Sequence, residues 1–211
     1  IAAADNPNVR LLDFTSEFYP TKNRYSLGFL RSVGADNYYA TKGWQRCSPD
    51  TVASFSAVAY YFGAMLQEQL GVPVGLIHNA VGGVPMESYI PTFDSTNWWD
   101  DSDLPAWCRE RGRNNLAAWL EKPVAPAPHH PFEPGFLYEA GMRPLEGVAL
   151  QGFIWYQGES NATAGGAGSL ALDPAVNKAK FLSLIENWRE AWGNQSLPFY
   201  FVQLPGLNRN W

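Results

Sequence analysis

The clearest periodic stretch of the chain follows Ser48. Val52, Phe55, Ala59, Phe62, Leu66 and Leu70 recur at three- and four-residue steps, the spacing of one helix face. Ser48 or Asp50 suits the N-cap and Pro49 the first turn, while Gly71, with Pro73 beyond it, marks the stop. Ser56 falls inside this predicted helix, where a small residue permits close packing. A second helix is predicted from Asp173-Pro174, with Phe181, Ile185, Trp188 and Trp192 as its apolar stripe and Gly193 as its end. Continuous apolar runs of strand length occupy 74–81, 148–157 and 197–204 and predict parallel strands buried on both faces. Residues 9–14 read as a short strand, 20–48 as loop and 114–120 as a helix. Residues 122–134 read as a proline-rich excursion over the surface.

Strands alternating with helices predict an α/β fold with a parallel sheet, helices on both faces and right-handed crossovers. Chemistry in such sheets gathers at the carboxyl ends of the strands. Here those ends are 79–83, 156–161 and 203–205.

Composition narrows the possibilities. Hydrophobic residues make up 46% and charged residues 17% of the 211, which suits a large core and not a disordered chain. Aromatic content is 15%, with 9 Trp; aromatics also stack on sugar rings, but core packing explains most of them. The net charge of −5 and the absence of any Lys/Arg run argue against a nucleic-acid partner. No apolar stretch approaches the roughly 20 residues that span a bilayer, so no membrane association is expected. The opening Ile1-Ala2-Ala3-Ala4-Asp5-Asn6-Pro7 has neither initiator Met nor signal-peptide pattern and reads as processed or cut from something longer. Cys47 and Cys108 could pair or be two free buried thiols. With only His78, His129 and His130 and no CxxC, a structural zinc site is not expected. The pair His129-His130 reads as solvated loop.

Two strand-end segments could carry chemistry. In Asn79-Ala-Val-Gly-Gly-Val-Pro-Met-Glu87, paired glycines let the backbone approach a ligand and aim N–H groups at it, the device that holds an oxyanion; a tight turn needing positive φ is the plainer reading. In Trp155-Tyr-Gln-Gly-Glu-Ser-Asn161, four polar side chains follow a strongly apolar strand, and burying them demands partners or a function. Gly158-Glu-Ser-Asn-Ala162 also mimics the nucleophile elbow G-x-S-x-G. Ala162 stands where Gly relieves crowding, however, and no His follows Ser160, so the chain order Ser, acid, His fails.

Both segments together resemble sialate O-acetylesterases, members of the SGNH hydrolases. Val72-Pro-Val-Gly-Leu-Ile77 with Gly82-Gly83 and Glu87 is similar to their second block, and Trp155–Asn161 to their third. Further similarities run in order along the chain: Ala4–Leu12, Cys47-Ser-Pro with Phe55-Ser-Ala57 and Tyr60-Tyr-Phe62, Leu137–Leu145, Trp188-Arg189 and Leu197–Leu204. The resemblance implies a three-layer flavodoxin-like sandwich around a central parallel sheet, incomplete at both ends. It also implies hydrolysis of O-acetyl esters on sugars such as sialic acid, with no metal or organic cofactor. The family's nucleophilic Ser and its D-x-H motif have no counterpart here, so residues 1–211 resemble the middle of one catalytic domain and should be inactive alone. Partners are then the acetylated sugar and the rest of that domain, possibly on a second chain. Carried over, the oxyanion donors are the Gly83 N–H (Gly82 as alternate) and a side-chain amide from Gln157 or Asn161, Gln157 preferred, with Glu159 ordering the turn. Val81 stands where the family commonly has Trp, which changes the pocket wall. The implied compartment is periplasmic, secreted or lysosomal.

Rival readings are an α/β-hydrolase using Ser160 and a glycan-binding remnant without turnover. Trp98-Trp99-Asp100-Asp101 reads either as a sugar-stacking lip or as an exposed loop. Asn161-Ala-Thr163 and Asn194-Gln-Ser196 are glycosylation sequons, the first inside the candidate site.

Overall fold

The computed structural model describes residues 4–16, 26–91, 104–123, 125–162 and 174–205. In chain order its elements are β1 (Asn6–Ser16), α1 (Leu27–Ser32), β2 (Tyr39–Ala40), β3 (Gln45–Cys47), α2 (Pro49–Val52), α3 (Ala57–Leu70), β4 (Val74–Asn79), α4 (Ala106–Asn115), α5 (Ala117–Glu121), β5 (Phe153–Trp155), α6 (Glu159–Ala162), α7 (Pro174–Ala191) and β6 (Phe199–Phe201). They fall into two compact units, one of residues 1–17 and 39–80, the other of 18–38 and 81–211.

The first unit is a small mixed sheet. β1 pairs in parallel with β4, Val9 opposite Val74 and Phe14 opposite Asn79. It also pairs antiparallel with β3, Leu11 opposite Gln45, and with β2, Ser16 opposite Tyr39. Val9 and Leu11, two apart and so on one face, join Leu76, Cys47, Val52 and Phe55 in the core, with Ala59 and Tyr60 of α3 packed on it. Gly63 lets α3 lie close on β4: a Cβ there would sit 2.5 Å from Leu76 Cδ2.

The helix expected from Ser48 to Leu70 is in fact two. Ser48 caps α2, accepting from Thr51 N at 3.3 Å, and the chain then leaves helical geometry. Ser56 restarts it as the N-cap of α3, its Oγ accepting from Ala59 N at 3.3 Å. Ser56 is therefore a cap and not a packing residue, because its hydroxyl satisfies an N–H that a new helix end exposes. Gly71 ends α3 as expected, at φ +66, donating to Gln67 O. Within 20–48, expected as loop, the described part holds α1, β2 and β3. β4 buries only Leu76, so its expected burial on both faces is not met in this unit.

The second unit contains the parallel pair β5–β6, Phe153 opposite Phe199 and Trp155 opposite Phe201. Both strands are shorter than the apolar runs that contain them. Around them the aromatics of α7 pack largely edge to face, Trp188 lying 4.9 Å from Phe153 and 5.7 Å from Trp155. This is what much of the aromatic content does: it fills the space between β5, β6 and α7 with large rigid side chains. Asp173 and 98–101 lie outside the described residues; α7 spans Pro174–Ala191 and ends beside Gly193, at φ +61, as the pattern predicts for its end.

The stretch 122–134 departs from its reading. Its C-terminal part turns inward: His130, Phe132 and Glu133 are buried, followed by Phe136, Leu137 and Tyr138. His130 is thus a core residue and not solvated loop. Phe132 N donates to its Nδ1 at 3.1 Å, and its Nε2 lies 3.0 Å from the Asn115 side-chain amide. Burial, with the Arg111 charge adding to it, pushes His130 down to about 3 and keeps it neutral. Neighbouring His129 is half-buried and bonds Glu133 at 2.8 Å; that bond raises its pKa, while burial raises that of Glu133. Cys47 and Cys108 are both free and buried, one in each unit.

Candidate active site

The second unit brings the two strand-end segments together. After β4 the chain turns at Gly82-Gly83, and Gly83 takes φ +76, a left-handed conformation that L side chains rarely adopt. A Cβ at either glycine would meet nothing within 4 Å, so backbone geometry and not crowding demands Gly83. The chain then enters a buried 3-10 turn, Met86–Tyr89. From the other side, β5 ends at Trp155, and Tyr156-Gln157-Gly158 leads into α6, whose first turn closes as Asn161 N and Ala162 N donate to Gly158 O.

Side chains lock the two segments. Asn161, 2% exposed, is the hub. Its Oδ1 accepts from Met86 N at 2.9 Å and from Gln157 Nε2 at 2.8 Å, and its Nδ2 donates to Glu87 Oε2 at 2.9 Å. Gln157 Nε2 also donates to Val84 O at 3.0 Å, within one residue of Gly83. The other end of that amide, Oε1, is buried without a hydrogen-bond partner. An orphaned buried acceptor costs stability, and such costs concentrate at functional sites. Lys180, from α7, closes the network with Nζ 2.6 Å from Glu87 Oε1. Both members of this ion pair are largely buried, with side-chain exposures of 14% and 7%.

The five residues singled out from sequence are thus placed as follows. Gln157 and Asn161 are joined directly to the Val84–Glu87 stretch that follows Gly82-Gly83. Glu159 is exposed in the first turn of α6. The buried carboxylate beside Asn161 is Glu87, which sequence reading placed in a motif without a role. Lys180 was missed altogether. Its signal was present: it lies four residues before buried Leu184 and eight before Trp188, a cation in line with an apolar stripe. Trp107 was also missed; its Nε1 donates to Ser160 O at 3.0 Å and anchors α6. Ser160 itself is 6% exposed. Cys108 lies in the same unit, and burial together with the Glu87 charge pushes its thiol well above the usual range.

Among the described residues, no three His, Cys, Asp or Glu side chains are grouped to hold a metal ion, and no helix is long and apolar enough to cross a membrane. In the first unit, His78 Nδ1 lies 2.6 Å from Asp13 Oδ1, a pairing of adjacent parallel strands that sequence reading did not anticipate.

No family model matches the chain. Among solved structures, a carbohydrate acetylesterase from Xanthomonas citri superposes on 96% of this chain and 35% of its own, with a TM-score of 0.60 and 25% identity. The mixed α/β architecture is thus similar to part of a carbohydrate acetylesterase. The human sialate O-acetylesterase is 31% identical over 156 residues, 71% of this chain, and the mouse protein 29% identical over 169. The chain belongs to the sialate O-acetylesterase-like family of ester-hydrolysing enzymes. It spans about a quarter of the length of these curated relatives, 25% of the human protein and 29% of the mouse protein.

Proposed function

We propose that residues 1–211 form the oxyanion-holding part of a carbohydrate O-acetylesterase of the SGNH type, acting on acetylated sugars such as sialic acid. The fold of the whole catalytic domain is then a three-layer flavodoxin-like sandwich. Its nucleophilic Ser and its His-Asp pair lie outside these residues, in the rest of the domain or on a second chain. The observation that carries the reading is the hydrogen bonding between the segments: Gln157 Nε2 to Val84 O, and Met86 N to Asn161 Oδ1. Ester hydrolysis builds negative charge on the carbonyl oxygen, and fixed donors aimed at that oxygen lower the barrier. Gly83 N–H is the backbone donor, with Gly82 as alternate. Gln157 is the side-chain donor. Both hydrogens of its amide are committed at rest, so it reaches the oxyanion by exchanging its bond to Val84 O. Asn161 holds Gln157 in place, and Glu159 orders the first turn of α6. Each donor is worth on the order of 3 kcal/mol in the transition state.

The reaction proceeds through an acetyl-enzyme on the Ser, which water then cleaves. The residues described here neither attack nor carry protons; they bind charge. Ser160 as nucleophile draws no support from its burial, since a nucleophile must meet substrate. The compartment that fits is periplasmic, secreted or lysosomal.

The test is hydrolysis of p-nitrophenyl acetate and of O-acetylated sialic acid by the 211 residues and by the full gene product. Turnover by the longer protein alone supports the reading. Turnover by the 211 residues at an enzymatic rate overturns the placement of the nucleophile. Binding of acetylated glycans with turnover by neither leaves the glycan-binding remnant as the function.

A further inference from the structure

We propose that the buried Glu87–Lys180 ion pair is a positioning device that sets the polarity of the side-chain oxyanion donor; this rests on the reading of Gln157 as that donor. A carboxylate only accepts hydrogen bonds, whereas an amide can turn either end toward a neighbour. Glu87 is buried with one oxygen on Lys180 Nζ and the other on Asn161 Nδ2. A carboxylate opposite Asn161 therefore obliges the NH2 end of Asn161 to face it. The oxygen of Asn161 must then face Met86 N and Gln157, which it does at 2.9 and 2.8 Å. That oxygen in turn obliges Gln157 to present Nε2 at this point and not Oε1.

The charge on Glu87 thus acts with the Met86 N–H and the Val84 carbonyl, which favour the same orientation, to fix two amides in series, from 87 to 161 to 157. Lys180 makes this possible. A buried carboxylate without a counter-charge is costly to keep. With the ammonium 2.6 Å away the charge is balanced and the direction holds.

The test uses the full gene product carrying Glu87→Gln with Lys180→Met, a double variant that removes both charges of this pair. Selective 15N labelling of Asn and Gln side-chain amides reports the polarity directly, and steady-state kinetics reports its consequence. The expected result is displacement of both the Asn161 and the Gln157 amide signals, with kcat reduced about 100-fold and KM within about twofold, the far-UV spectrum being unchanged. A fall in kcat with the Gln157 signals unmoved overturns the proposal, since the loss then has another origin. Displaced signals with kcat intact overturn it as well. Lys180→Met alone carries the same two readouts should the double variant not fold. If the wild-type protein hydrolyses no ester, the esterase reading fails separately; displaced amide signals then uphold the polarity relay, and unmoved ones overturn it.

Discussion

Trp188 Nε1 donates to the Tyr89 carbonyl at 2.9 Å, both residues being buried. This bond ties α7, which carries Lys180, to the turn that carries Glu87. Trp188→Phe should cost about 1–3 kcal/mol, mainly by leaving a buried carbonyl unpaired. Trp188→Ala should cost about 3–5 kcal/mol, since it also opens a cavity among Phe153, Trp155 and Phe199. Urea unfolding of both variants measures the two costs: no loss in Trp188→Phe would show that the hydrogen bond contributes nothing, and equal losses would show that the cavity adds nothing.

Gly82 and Gly83 should respond differently to alanine. Neither has a neighbour within 4 Å of a built Cβ, but only Gly83 has positive φ. Gly83→Ala should destabilise by about 1–2 kcal/mol through backbone strain and lower the esterase rate, because the backbone N–H shifts to relieve it. Gly82→Ala should change stability by less than about 0.5 kcal/mol. Paired urea midpoints and rates check both statements; a neutral Gly83→Ala would refute the strain.

His130 makes stability depend on acid. In the folded protein burial holds its pKa near 3, against an ordinary 6.5. Between those values the unfolded chain binds a proton that the folded chain refuses, so stability rises with pH there. The contribution is complete above about pH 6.5 and lost as pH falls toward 3, by on the order of 1 kcal/mol per pH unit. His130→Gln should flatten this part of a plot of urea midpoint against pH. An unchanged acid slope would assign it to other groups.

Both thiols should be silent in the native protein. Cys47 and Cys108 have no exposed surface, and Cys108 is further held in its thiol form by burial beside the Glu87 charge. A disulfide-exchange reagent should label neither residue under native conditions and both in denaturant. Rapid native labelling of Cys108 would contradict its burial.

The local features of the fold were readable residue by residue. Ser48 with Pro49, Gly71 and Gly193 mark helix ends because caps, left-handed glycines and first-turn prolines act over a few residues. The break at residues 53–56 was not readable, since Val52, at the end of α2, and Phe55, between the two helices, continue the helical spacing and both serve the core. Likewise 122–134 looked like surface because proline and histidine are common there. Its last residues are buried because Asn115 and the Phe132 N–H satisfy the imidazole of His130, and no local pattern announces such partners.

For the site, the sequence by itself determined which segments matter: a glycine pair after one apolar run and a cluster of polar residues after another. It also determined that one glycine takes a left-handed turn, a property of the backbone alone. Only the tertiary structure decided that Asn161 is the hub, that Glu87 rather than Glu159 supplies the buried carboxylate, and that Lys180 neutralises it. Those contacts span 74 and 93 residues of chain. A buried charge is tolerable only where folding delivers its counter-charge, so its position is a property of the packed molecule and not of any stretch of sequence.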